Sequence, residues 1–116
     1  MFRRYLGEVA IFLMRKDCDT LKMLVRSIGA PVGRLSEAGV MTVYSIIEED
    51  CPEDLRNLMP SFNEFVELVD KCLGIERRYP ELELNEELYR EISEKVRRMI
   101  GRMFIKVNEY VRGGGG

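Results

Sequence analysis

Leu88, Ile92, Val96, Met99, Met103 and Val107 recur at spacings of four and three, which places them on one stripe of a single helix. Tyr89, Ile100 and Phe104 widen the stripe. Asn85 stands where an N-cap belongs, Glu86 and Glu87 complement the first turn, and Arg112 complements the last. A helix of roughly 27 residues would be about 40 Å long. That is more than any one of the shorter segments upstream can cover. Either two of them pack end to end along it, or part of its apolar face meets another subunit.

The upstream segments read as shorter helices with clear punctuation. Phe2, Tyr5, Leu6, Val9, Phe12 and Leu13 follow helical spacing, with a strand near 8–14 as the competing reading. Asp17 to Thr20 supply capping groups for a helix that carries Leu21, Leu24, Val25 and Ile28 and closes at Gly29. The stretch GAPVG is a turn or loop. Ser36 can cap a helix containing Val40, Val43, Tyr44 and Ile47, but VMTVYSII is rich in β-branched residues and suits a buried strand near 40–47. The acids Glu48, Glu49 and Asp50 also favour the strand, because a helix C-terminus prefers bases.

Farther along, Pro52 opens a short helix through Met59, and Pro60 stops it. Ser61 and Glu64 form a capping-box pattern for a helix that buries Phe62, Phe65, Val66, Val69 and Leu73 and ends at Gly74. IERRYPELEL reads as an irregular connector, since Pro80 biases Tyr79 away from helical angles.

Charge is unevenly distributed. The 116-residue chain has a net charge of -2, so nothing global draws it to nucleic acid or acidic membranes. By region, however, residues 1–34 sum to +4, residues 35–94 to -11 and residues 95–116 to +5. Lys95, Arg98, Arg102 and Lys106 step by three, four and four along one edge of the last helix. Glu91 and Glu94 lie one turn before Lys95 and Arg98, whereas Arg102 and Lys106 have no acid at that spacing. With Arg3 and Arg4, these residues are the candidate contacts for a nucleic acid or an acidic protein partner.

Composition excludes much chemistry. The chain has no histidine, which removes the usual general base near neutral pH, the Ser-His-Asp and Cys-His arrangements and the common zinc sites. Asp17 and Asp19 imitate the start of a calcium loop without its glycine. The acids Glu48, Glu49, Asp50, Glu53 and Asp54 read as a solvated cluster rather than a cation site. Cys18, Cys51 and Cys72 form no CxxC pair, and their odd number makes a poor disulfide framework, so reduced, wholly or partly buried thiols are expected. Cys51, just before Pro52, is the thiol best placed for a lowered pKa, which its acidic neighbours oppose.

These readings converge on an all-α fold, a compact bundle of about five helices with a long C-terminal helix. The alternative is α+β with short strands near 8–14 and 40–47. Residues 1–112 form a single helical domain, and 113–116 a flexible glycine tail. No metal, cofactor or membrane span is expected, and the chain reads as a soluble cytoplasmic protein. The expected function is a small non-enzymatic assembly or adaptor subunit that self-associates or docks on a protein partner through helical surface. The alternative is a nucleic-acid-associated accessory protein using the basic stripe.

Overall fold

Local capping sets most of the helix boundaries. In the computed structural model, which describes residues 4–29, 33–95 and 97–98, α1 runs Leu6–Arg15 and α2 runs Cys18–Ile28. The Asp17 carboxylate accepts the N–H of Thr20, and Gly29 closes α2 at φ 92°, a left-handed conformation glycine adopts without a Cβ penalty. α3 spans Glu37–Glu49, with the Ser36 hydroxyl accepting from the Gly39 N–H. α4 spans Phe62–Cys72, and both bonds of the Ser61–Glu64 capping box form. The final helix, α5, covers residues 86–95 and continues at 97–98, with the Asn85 side chain accepting from the Leu88 N–H.

The fold is mainly helical, and the strands expected as an alternative at 8–14 and 40–47 are the helices α1 and α3. Helix wins at 40–47 because α3 is buried nearly all round. Val40, Val43, Tyr44, Ser45, Ile46 and Ile47 are all inside, so both faces of VMTVYSII find apolar cover without a sheet. Two strands form elsewhere. β1 (Leu35–Ser36) pairs in parallel with β2 (Ile75–Glu76), which lies inside the connector that reads as irregular from sequence. Two residues carry no periodic signal. Pairing is arranged by Gly74, at φ 85°, whose carbonyl accepts the Leu35 N–H. The segment after Pro52 is a 3-10 helix, Glu53–Leu58, rather than an α-helix.

α1 packs on α2 and on the 3-10 helix, while α4 packs on α2 and α3. Val9, Phe12 and Leu13 of α1 meet Leu21, Leu24 and Val25 of α2 within one core cluster. Four aromatic rings join α3, α4 and α5 at its centre. Phe62 stacks on Tyr89 at 4.7 Å, and Tyr44 meets Phe62 edge-on at 5.2 Å and Tyr89 at 5.0 Å. Phe65 lies 5.3 Å from Tyr44. Such offset and edge contacts are favoured by the ring quadrupoles beyond their buried area.

The expectation of reduced thiols fails for two cysteines. Cys18, in the first turn of α2, forms a disulfide with Cys72, at the end of α4. Their 54-residue separation hides the pairing, and the packing of α2 on α4 creates it. Buried Cys51 stands outside this bond. The second half of the expected long helix, its partner-facing stripe beyond 98 and the glycine tail 113–116 lie outside the described residues.

Candidate interaction surfaces

Three of the six basic candidates, Arg4, Lys95 and Arg98, lie among the described residues. Arg4 precedes α1, with its guanidinium 5.9 Å from the centre of the Tyr5 ring. Lys95 and Arg98 are exposed on α5. Arg98 bridges to Glu94 at 2.8 Å, the spacing anticipated from sequence. Lys95 makes no salt bridge to Glu91 or to any other carboxylate among the described residues. Arg3, Arg102 and Lys106 lie outside the described residues.

The basic residue that matters most to the described fold is Arg97, which falls off the expected stripe. Its guanidinium lies 3.0 Å from Glu48 and 3.1 Å from Glu49, tying α5 to the end of α3. Glu48 also accepts the hydroxyl of Tyr89. Burial, together with Glu48, holds both Tyr44 and Tyr89 far above the ordinary phenol value. The Tyr44 hydroxyl donates to the Pro60 carbonyl at 2.6 Å.

The acidic end of α3 is therefore a structural clamp. Glu48 and Glu49 hold Arg97, and buried Asp50 accepts the Tyr5 N–H at 2.8 Å. This explains acids where the helix dipole disfavours them: each carboxylate is engaged by a donor from elsewhere in the chain. It also corrects the reading of a solvated cluster for Glu48, Glu49 and Asp50, while Glu53 and Asp54 of the same cluster are exposed. Among the described residues no group of three or more His, Cys, Asp or Glu could hold a metal ion. The sequence signal was the opposition of an acidic block and a basic block, but no spacing rule links positions 49 residues apart.

Cys51 is nearly fully buried, and its Sγ lies 3.4 Å from the Pro52 carbonyl. A small pocket of about 80 Å³ is lined by Glu48, Cys51, Arg56 and Met59. The following 3-10 helix has six residues, so it offers little of the dipole that activates a thiol.

A different surface stands out on α1. Val9, Phe12 and Leu13 face the core, yet Leu6, Ile11 and Met14 are 38%, 41% and 62% exposed. They account for three of the four large hydrophobics exposed among the described residues, Tyr79 in the connector being the fourth. Exposed Gly7 lies on the same face, where an added Cβ would meet nothing within 4 Å. A helix apolar on every side is normally covered on every side. The signal was legible in LGEVAIFLM, where Glu8 is the sole charge, but a buried helix and an interface helix read alike in sequence. Among the described residues, no helix is long and apolar enough to cross a membrane.

A scan of family models, a search of curated proteins and a search of solved structures find no match to this chain, so its surfaces carry the functional argument.

Proposed function

We propose that this protein is a small non-enzymatic assembly or adaptor subunit and that the outward face of α1 is its docking surface. The observation that carries the reading is the exposure of Ile11 and Met14 on a helix whose opposite face, Val9, Phe12 and Leu13, is fully buried. Polar rims around an apolar patch of this kind mark contact sites. Here the rim holds Arg4, Glu8 and Arg15. The lack of histidine and of a recognisable catalytic motif supports a binding role over an enzymatic one.

Nucleic-acid association through the basic stripe has less support. Three of the four cations on the described part of α5, Arg90, Arg97 and Arg98, are already engaged by carboxylates of the same chain. The Cys18–Cys72 disulfide also weighs on location. Persistent disulfides belong to oxidising compartments or to thermophile cytoplasm, so the bond argues against an ordinary reducing cytoplasm.

The test is site-specific photocrosslinking in the expressing cell. A photoreactive side chain at Met14 is expected to give a covalent adduct with protein, while the same group at exposed Lys22 of α2 gives none. Equal labelling at both positions, or no adduct at Met14, would sink the docking reading.

A further inference from the structure

We propose that the occupant of this face is a second copy of the same chain, with α1 packed antiparallel on α1 about a two-fold axis. The proposal rests on the docking reading above and names its partner.

The first argument is periodicity. Gly7, Ile11 and Met14 step by four and three along the outward face, the spacing of a coiled-coil seam, with Arg4 one step before. On this register Glu8 and Arg15 fall on the flank of the seam. They are seven residues apart, so they occupy the same edge of the helix about two turns from each other.

The second argument is charge. A two-fold axis perpendicular to both helices turns each edge onto the same edge of the copy, with direction reversed. Glu8 then faces Arg15 of the second copy, and Arg15 faces Glu8. Glu8 makes no ion pair within the described residues. Arg15 reaches Asp17 at 3.0 Å with one nitrogen and is 61% exposed, which leaves donors free for a second carboxylate. A parallel arrangement would instead set this edge against the opposite edge of the copy, where Ala10 lies, and would forgo both ion pairs, so charge pairing selects the antiparallel pair.

The third argument is the size of Gly7. Glycine within a helix is destabilising relative to alanine, and nothing among the described residues needs the space. In the antiparallel pair the long Met14 side chain of the second copy comes over Gly7 and Ala10, where a larger residue would hold the helices apart. At ten residues, α1 is about 15 Å long, so it covers less than a standard interface. The dimer is therefore weak and concentration dependent.

Sedimentation equilibrium of the purified chain from about 10 μM to about 1 mM, the range of weak interfaces, is expected to show a monomer–dimer equilibrium. Gly7→Leu should leave circular dichroism unchanged, because its site is open, and weaken the dimer by about tenfold or more. Glu8→Arg alone and Arg15→Glu alone should each be monomeric. An equimolar mixture of those two variants should recover the dimer, since the mixed pair again opposes unlike charges. A strict monomer across the range, a dimer indifferent to Gly7→Leu, or a mixture that stays monomeric would overturn the proposal. A purified monomer combined with a Met14 crosslink to a different protein would overturn the second copy and leave the docking reading standing. No crosslink at all would remove both.

Discussion

The backbone N–H of Tyr5 donates to the carboxylate of Asp50 at 2.8 Å, joining the start of α1 to the end of α3 across 45 residues. Asp50 is 6% exposed, so removing its carboxylate opens a buried site and leaves the part-buried Tyr5 N–H without this acceptor. Asp50→Ala is expected to cost about 2 kcal/mol, and Asp50→Asn, which keeps an acceptor, less. Urea denaturation of the three proteins gives the comparison, with unchanged slopes showing that only stability moved.

Reduction should destabilise the fold more than any of these polar changes. Cys18–Cys72 closes a loop with a sequence separation of 54, for which the chain-entropy account gives about 4 kcal/mol. Urea midpoints with and without dithiothreitol check the value. Cys18→Ser and Cys72→Ser should each match the reduced protein and be insensitive to reductant, while Cys51→Ser should keep the full response.

Glu37, 2% exposed at the start of α3, anchors the connector by accepting the backbone N–H of Arg78 at 2.7 Å and of Tyr79 at 3.3 Å through Oε1. Among the described residues, its Oε2 has no hydrogen-bond partner. Glu37→Ala should therefore cost about 1 kcal/mol, because the amides of exposed Arg78 and Tyr79 lose their carboxylate acceptor but can turn to water. Glu37→Gln should cost less, because the accepting oxygen remains. Amide hydrogen exchange at Arg78 and Tyr79 provides the local readout, fast in the alanine variant and slow in the glutamine variant.

Stability should fall at both ends of the pH range. Burial first, and Glu48 next, raise Tyr44 and Tyr89 above the ordinary value of 10.0. A phenol so raised stays neutral in the fold after the unfolded chain ionises. Its contribution is whole below pH 10 and is lost as pH rises through the folded value. On the acid side, Asp17 and Glu64 lie below their ordinary values of 3.8 and 4.5, held down first by the backbone N–H of Thr20 and of Ser61. Their contribution is present above those values and is lost as pH falls. Both carboxylates are exposed, so that limb should be shallow. Urea midpoints across pH should show Tyr44→Phe softening the alkaline limb and Asp17→Asn softening the acid limb.

Capping and periodicity were legible because they are local. Asp17, Ser36, Ser61 with Glu64, and Asn85 each bond to a backbone N–H at most three residues away, so the helix starts can be read by spacing. Gly29 and Gly74 stop helices for reasons contained in one residue. The inward face of α1 and the stripes of α2 and α4 follow from 3.6-residue periodicity in the same way. Local rules were weaker for the segment after Pro52, where a start signal was present but nothing in six residues separated 3-10 from α geometry.

The sequence by itself determined where the capping residues stand, which faces of α2 and α4 are apolar, and which chemistries the missing histidine excludes, while 8–14 and 40–47 stayed open between helix and strand. Tertiary structure decided which distant groups meet: Cys18 with Cys72, Arg97 with Glu48 and Glu49, Asp50 with Tyr5, and β1 with β2. It also decided which side of α1 stays uncovered. The physical reason is range. A cap or a stripe is fixed by bonds within one or two turns, whereas a long-range pair depends on how several helices pack at once, and no spacing along the chain encodes that arrangement.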